Sequence, residues 1–208
     1  MEVKTFHGGV HPAGHKELSC ESPLVPLLPQ GELVFMTNQH IGKPATPVVK
    51  KGDKVLAGQV IAEAGGFVSA NIHSSVSGTV KAVETRKNAS GGSATAIVVE
   101  NDGEYTLAEG VGEQCDPGTL TNQELLAKIQ KAGIVGMGGA GFPTDVKLQP
   151  KQKVDTLLIN ASECEVWLTS DTQEMLECSD DIIRGIKAVL QYTGIPKCII
   201  GIENNKPE

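Results

Sequence analysis

Ile134-Val-Gly-Met-Gly-Gly-Ala-Gly-Phe-Pro-Thr-Asp-Val-Lys147 places four glycines, Gly136, Gly138, Gly139 and Gly141, within six residues and stops at Pro143. As a string, Gly136, Gly138 and Gly141 satisfy G-x-G-x-x-G. That fingerprint marks a dinucleotide-binding βαβ unit only where a strand runs directly into the glycines and an unbroken helix leaves them. Here Thr121-Asn-Gln-Glu124 is a capping-box pattern, Leu125, Leu126 and Ile129 supply an apolar face, and Gly133 is a C-terminal stop. A helix therefore precedes the loop and a proline follows it, which argues against the Rossmann frame. Two readings stay open. Successive glycines let backbone N–H groups converge on an anion, with Pro143 opening a short helix and Lys147 adding charge. Alternatively the stretch is a hinge.

Outward from the loop, Val154-Asp-Thr-Leu-Leu-Ile159 reads as a strand ending at Asn160, followed by Ser162-Glu-Cys-Glu165. From Ser179 to Tyr192, Ile182, Ile183, Ile186, Val189 and Leu190 form one helical stripe, stopped by Gly194 and Pro196. Lys197-Cys-Ile-Ile-Gly-Ile-Glu203 then reads as a buried strand, completing a βαβ unit with an expected right-handed crossover. A parallel sheet of two strands is too small to be stable with both faces covered. On residue pattern alone, Asn160, Glu163 and Glu165 read as a strand-end turn with solvated carboxylates.

Composition narrows the function classes. The chain has 208 residues, 39% hydrophobic and only 3% aromatic, so its core must be built from Val, Ile, Leu and Ala. A net charge of −7 without a Lys/Arg run leaves no footprint for nucleic acid. No signal-type segment and no run of about 18 apolar residues is present, so a soluble or peripheral protein is expected. Cys20, Cys115, Cys164, Cys178 and Cys198 are widely spaced and form no C-x-x-C, which argues against a disulfide scaffold, a zinc knuckle or a cysteine-ligated cluster. His7, His11 and His15 recur every four residues, but Gly8, Gly9, Pro12 and Gly14 make a helical metal face improbable, and no metal site is expected.

The expected fold class is α+β multidomain. Residues 1–30 form an extended arm, 31–112 a β-rich domain, and 113–208 part of an α/β domain. In the second region, short β-type runs with glycine punctuation (Lys54-Val-Leu-Ala57, Gln59-Val-Ile-Ala62, Gly78-Thr-Val-Lys-Ala-Val83, Thr95-Ala-Ile-Val-Val99) resemble the barrel-sandwich hybrid fold of biotinyl and lipoyl carriers. Such carriers need a lysine on an exposed hairpin tip. The matching tip, Ala64-Gly-Gly-Phe-Val-Ser-Ala-Asn-Ile-His73, has none, so covalent carrier function is not expected.

Gly136-Met-Gly-Gly-Ala-Gly-Phe-Pro-Thr144 with Lys147, then Asn160-Ala-Ser-Glu-Cys-Glu165 after the next strand, resembles the FMN- and NADH-binding domain of the NADH-oxidising subunit of respiratory complex I. With Gly8-Gly-Val-His-Pro12 and the barrel-sandwich segment in front, the arrangement is more similar to the C-subunit family of the Rnf electron-transport complex. The resemblance implies that Gly136, Gly138, Gly139 and Gly141 wrap the FMN phosphate and that Phe142 stacks on NADH. It further implies that Lys147 offers charge to the flavin or its phosphate, that Asn160 and Glu163 hydrogen-bond the flavin, and that Glu165 faces the nicotinamide. No catalytic acid or base is required. Two departures touch the nicotinamide side: Ser162 stands where complex I has an acidic residue, and Val166-Trp167 replaces the usual Pro-Tyr.

The implied function is that of a membrane-associated electron-transport subunit passing electrons between NADH, FMN and 4Fe-4S clusters or ferredoxin, coupled to ion translocation. A full-length protein would be an NADH:acceptor (ferredoxin:NAD+) oxidoreductase subunit with its clusters in a further C-terminal region, while the 208-residue chain alone would be inactive. Implied partners are other subunits, ferredoxin or a soluble reductase, at a cytoplasmic location peripheral to the inner face of the cell membrane. Two alternatives stay open: a soluble NADH-dependent protein feeding a fermentative reductase such as proline reductase, and a docking module without flavin.

Overall fold

The computed structural model describes residues 8, 12–137, 139–163, 165–203 and 206. The chain divides into two compact units: residues 27–154 with 191–193, and residues 1–26 with 155–190 and 194–208.

In the first, β1 (Glu32–Met36), β7 (Ser93–Asn101), β6 (Gly78–Lys87) and β3 (Lys54–Val55) form an antiparallel sheet in the order β1-β7-β6-β3. A second sheet has the order β2 (Thr46–Pro47), β4 (Val60–Glu63), β5 (Ile72–His73). Strand β7 lies between β1 and β6, and its run Ala96-Ile-Val-Val99 is buried throughout rather than in alternation, because both of its faces are covered. Phe35, Val55, Ile61, Ala62, Val76, Val80, Ile97 and Val99 belong to one buried cluster drawn from both sheets. The larger of these side chains stabilise the unit by roughly 1.5–3 kcal/mol each. This is the barrel-sandwich hybrid expected from the sequence.

The same unit contains α1 (Asn122–Lys131) and the single-turn α2 (Thr144–Lys147), with Pro143 at the N-cap of α2. The expected capping box is made: Thr121 Oγ1 accepts from the Glu124 amide, and the Thr121 amide donates to Glu124 Oε2 at 2.9 Å. Residues 113–154 cluster with the β-rich part because α1 is fastened to it, Asn71 Nδ2 donating to the Lys131 carbonyl at 3.1 Å.

In the other unit, β8 (Thr156–Ala161) and β9 (Lys197–Ile202) pair in parallel from Thr156↔Lys197 to Ala161↔Ile202. They are joined through α3 (Ser170–Glu177) and α4 (Ser179–Thr193), and α4 ends at Gly194 in the left-handed region. The strand–helix–strand order holds, with α3 as an additional helix, but β9 is largely exposed rather than the buried strand its apolar run suggests. Both strands leave apolar side chains uncovered: Leu158 is 70% exposed and Ile202 52%.

Candidate functional site

The glycine loop is a narrow-necked hairpin. Val135 bridges Pro143 antiparallel, the Gly136 amide donates to the Phe142 carbonyl at 2.9 Å, and the Thr144 amide donates to the Ile134 carbonyl at 2.9 Å. The neck is anchored at both ends on loops of the barrel-sandwich part. At the entrance, Gly133 passes so close that a Cβ there would lie 2.4 Å from the Asn71 carbonyl oxygen. Burial pulls His73 beside it below the ordinary imidazole range, against a bond to Lys131 that pulls the other way. At the exit, Gly141 adopts φ 59°, a Cβ there would sit 2.9 Å from both Gln39 O and His40 Cα, and the Ile41 amide donates to the Gly141 carbonyl at 3.3 Å. Buried His40 holds this corner. Its Nε2 accepts from the Ala70 amide at 3.2 Å, which assigns the proton to Nδ1, 2.9 Å from the Ile41 carbonyl.

The tip of the hairpin is different. Met137 is 91% exposed, and Gly139 has φ 116° with no heavy atom within 4 Å of where a Cβ would stand. At Gly136 the nearest such atom is the Phe142 carbonyl at 3.9 Å. Gly141 is thus a glycine because the protein itself crowds it, whereas Gly139 keeps open space against a bare backbone. That space would admit a close-approaching phosphate or ring. The residues present fit such a group. Gly138 lies outside the described residues. Lys147 is exposed with its Nζ 5.9 Å from the centroid of the half-buried Phe142 ring.

In the other unit, the acidic turn is filled by its own chain. Asn160 is the penultimate residue of β8, and its Oδ1 accepts from the Ser162 amide at 3.2 Å, a local Asx turn. Glu163 is 3% exposed and caps α3 from outside that helix. Its Oε1 accepts from the Asp171 amide at 2.8 Å, and its Oε2 accepts from Thr172 Oγ1 at 2.7 Å and faces Lys206 Nζ at 3.2 Å and Lys16 Nζ at 3.5 Å. Burial pushes this carboxyl up, but the bonds from Thr172, Asp171 and Lys206, with the lysine charge, outweigh it and hold the pKa below the usual carboxylate range. Glu163 is therefore placed differently from a solvent-facing ligand group, and from the solvated carboxylate that residue pattern alone suggests. Glu165 is exposed.

The arm closes the turn. Lys16 Nζ donates to the carbonyls of Glu163 (2.6 Å), Glu165 (3.1 Å) and Leu168 (2.8 Å), and the Trp167 amide donates to the Gly14 carbonyl at 2.8 Å. Trp167 has φ 74°, a conformation that costs a non-glycine residue about 1–2 kcal/mol, and His15 stacks on its ring at 4.5 Å. His7 and His11 lie outside the described residues. Among the described residues, no group of three His, Cys, Asp or Glu could hold a metal ion. A cavity of about 330 Å³ lies within this unit, bordered by Asn160, Ile159, Ile200 of the sheet and by Asp171, Met175 and Ile182.

Residues 4–104 match the RnfC barrel-sandwich hybrid domain, and residues 129–208 match the Nuo51 FMN-binding domain. The whole chain is 43% identical to the C subunit of the proton-translocating ferredoxin:NAD(+) oxidoreductase complex of Clostridium ljungdahlii, aligning over 99% of this chain and 46% of that one. The chain belongs to the C-subunit family of the Rnf electron-transport complex. Two further relatives in this family are the C subunit of the Na(+)-translocating ferredoxin:NAD(+) oxidoreductase complex of Acetobacterium woodii, 42% identical over all of this chain and 48% of its own length, and that of the ion-translocating oxidoreductase complex of Rhodobacter capsulatus, 40% identical over 100% and 41%. The chain spans less than half the length of these RnfC relatives. No described helix is long and apolar enough to cross a membrane.

Sequence reasoning missed Lys16, Thr172 and Lys206 around Glu163, and it missed α3. Asp171 in the first turn is a weak helix-start signal. The residue that caps the helix stands eight positions before Asp171, outside any local capping pattern.

Proposed function

We propose that this chain supplies part of an FMN- and NAD(H)-binding site in a subunit that passes electrons between NADH, FMN and iron–sulfur clusters or ferredoxin, within a complex that translocates ions. The observation that carries this reading is the glycine hairpin, fixed at its neck and open at Gly139. The match of residues 129–208 to an FMN-binding domain and the names of the relatives support it.

In this reading the loop of Gly136, Gly138, Gly139 and Gly141 cradles the FMN phosphate, with Gly138 and Gly139 offering backbone N–H groups while the Gly136 amide stays bonded to the Phe142 carbonyl in the neck. Gly141 and Gly133 act indirectly, by letting the neck sit against the loop at Gln39 and His40 and the loop at Asn71. Lys147 offers its ammonium to the phosphate, and Phe142 offers a ring face toward NADH. Asn160 and Glu165 border the flavin and nicotinamide side, while Glu163 acts through the shape of the turn. Bound FMN supplies the exchange between two-electron hydride chemistry and one-electron transfer. The chain's own residues bind, orient and set charge; none needs to move a proton. We place cluster ligation outside these 208 residues, since their cysteines lack cluster spacing. The partners are the other subunits of the complex and ferredoxin, with the protein peripheral on the inner face of the cell membrane.

The test is flavin content. A form carrying the length of its relatives purifies yellow with FMN near one per chain, and Gly139→Val removes most of it, while the 208-residue chain is colourless. Unchanged FMN in Gly139→Val would make the loop a hinge.

A further inference from the structure

The arm residue Lys16 does more than tether the N-terminus. An ammonium has three N–H donors and no acceptor. Here they meet the carbonyl oxygens of Glu163, Glu165 and Leu168 at 2.6, 3.1 and 2.8 Å, while the Glu163 carboxylate, 3.5 Å away, balances the charge. Three carbonyls within six residues can converge on one point only if the backbone curls around it, so the cation and the curl are the same feature. On either side the arm adds contacts of its own. Gly14 accepts from the Trp167 amide, Ser19 Oγ donates to the Trp167 carbonyl at 3.4 Å, Thr169 Oγ1 donates to Ser19 Oγ at 2.9 Å, and the Gln173 side-chain amide donates to the Cys20 carbonyl. Trp167 keeps its left-handed backbone inside this frame.

We propose that Lys16 is a positioning residue for the turn 163–168: its ammonium is the template around which the backbone of Glu163, Glu165 and Leu168 is folded. The functional consequence, that Lys16 sets the geometry of the nicotinamide side without touching it, rests on the flavin reading above; the template role does not. Lys206 gives the internal contrast. It shares the Glu163 carboxylate at 3.2 Å and also faces Glu203 at 3.5 Å, so it contributes charge to the same cluster. A planar guanidinium cannot reproduce three donors diverging from one nitrogen, so arginine is a poor substitute at position 16.

Trp167 is the only tryptophan of the chain and reports on the turn directly. Lys16→Ala in the 208-residue chain is expected to raise quenching of the half-exposed Trp167 by neutral acrylamide by about half. Propylammonium, which refills the deleted side chain with an ammonium, should return it to the parent value, whereas tetramethylammonium, a cation without donors, should not. Lys16→Arg should restore only part of the protection. Lys206→Ala should lower thermal stability with quenching unchanged, which separates a template from a charge contribution. Unchanged quenching in Lys16→Ala, or equal rescue by tetramethylammonium, would overturn the proposal. In the flavin-loaded longer form, Lys16→Ala should leave FMN content intact and raise KM for NADH about fivefold, reversed by propylammonium. A moved Trp167 signal with an unmoved KM would remove the turn from the nicotinamide side while leaving the template standing.

Discussion

The glycine hairpin 134–144 and the acidic turn 160–168 both hold backbone that ordinary residues resist, φ 116° at Gly139 and 74° at Trp167, yet they treat the space beside it in opposite ways. The hairpin concentrates its contacts on the neck, where Gly133 and Gly141 are pressed against Asn71 and the 39–40 corner, and leaves Gly139 without a neighbour. In the turn, the centre is filled with the Lys16 ammonium and the Glu163 carboxylate. A motif can therefore resemble a binding loop in sequence and be either an open cradle or a structure already satisfied by its own chain. Which of these it is depends on whether distant residues reach it.

Substitutions can break this contrast, beginning with the most severe. Gly133→Val should destabilise the barrel-sandwich unit by on the order of 3 kcal/mol or more, because both the left-handed backbone and the 2.4 Å approach to Asn71 O must be undone. Thermal unfolding followed by far-UV circular dichroism measures it, and a shift within error would mean the neck is not anchored there.

Glu163→Gln comes next, at roughly 2–3 kcal/mol in the other unit, since it strips the charge that Lys16 and Lys206 face. The pH sign follows from the lowered carboxyl. Its contribution is fully present above the ordinary value of 4.5 and is lost as pH falls through the lower folded value. Acid titration of Trp167 emission should therefore show a transition that Glu163→Gln removes, and an identical transition in both proteins would contradict the assignment.

Gly139→Val should cost only about 1–2 kcal/mol of backbone strain, because its side chain enters open space. Stability loss as large as at Gly133, read in the same melts, would show that the tip is packed. Lys147→Gln is the mildest, about 0.5 kcal/mol at most for an exposed cation at the outer limit of ring contact, and should be nearly silent in the melts.

Much of the fold was legible because its determinants are local. The capping box at Thr121 and Glu124, the left-handed stop at Gly194 and the buried run Ala96-Ile-Val-Val99 are written in adjacent residues, and each forms the element it predicts. The glycine hairpin was legible as a string, but not the division of labour within it, because Gly141 is explained by Gln39 and His40 about a hundred positions away. The acidic turn was the least legible. Asn160 does what a strand-end asparagine does locally, whereas Glu163 is buried by Lys16, which lies 147 positions upstream in a Gly- and Pro-rich arm without periodicity.

The most direct test of one open cradle and one closed turn is an amide chemical-shift titration of the 208-residue chain with FMN, which reads weak binding residue by residue. The account predicts the largest shifts at residues 137–141, with the Asp171 and Thr172 amides, already bonded to Glu163, unmoved. Silence at 137–141, or shifts centred on Asp171 and Thr172, would contradict it.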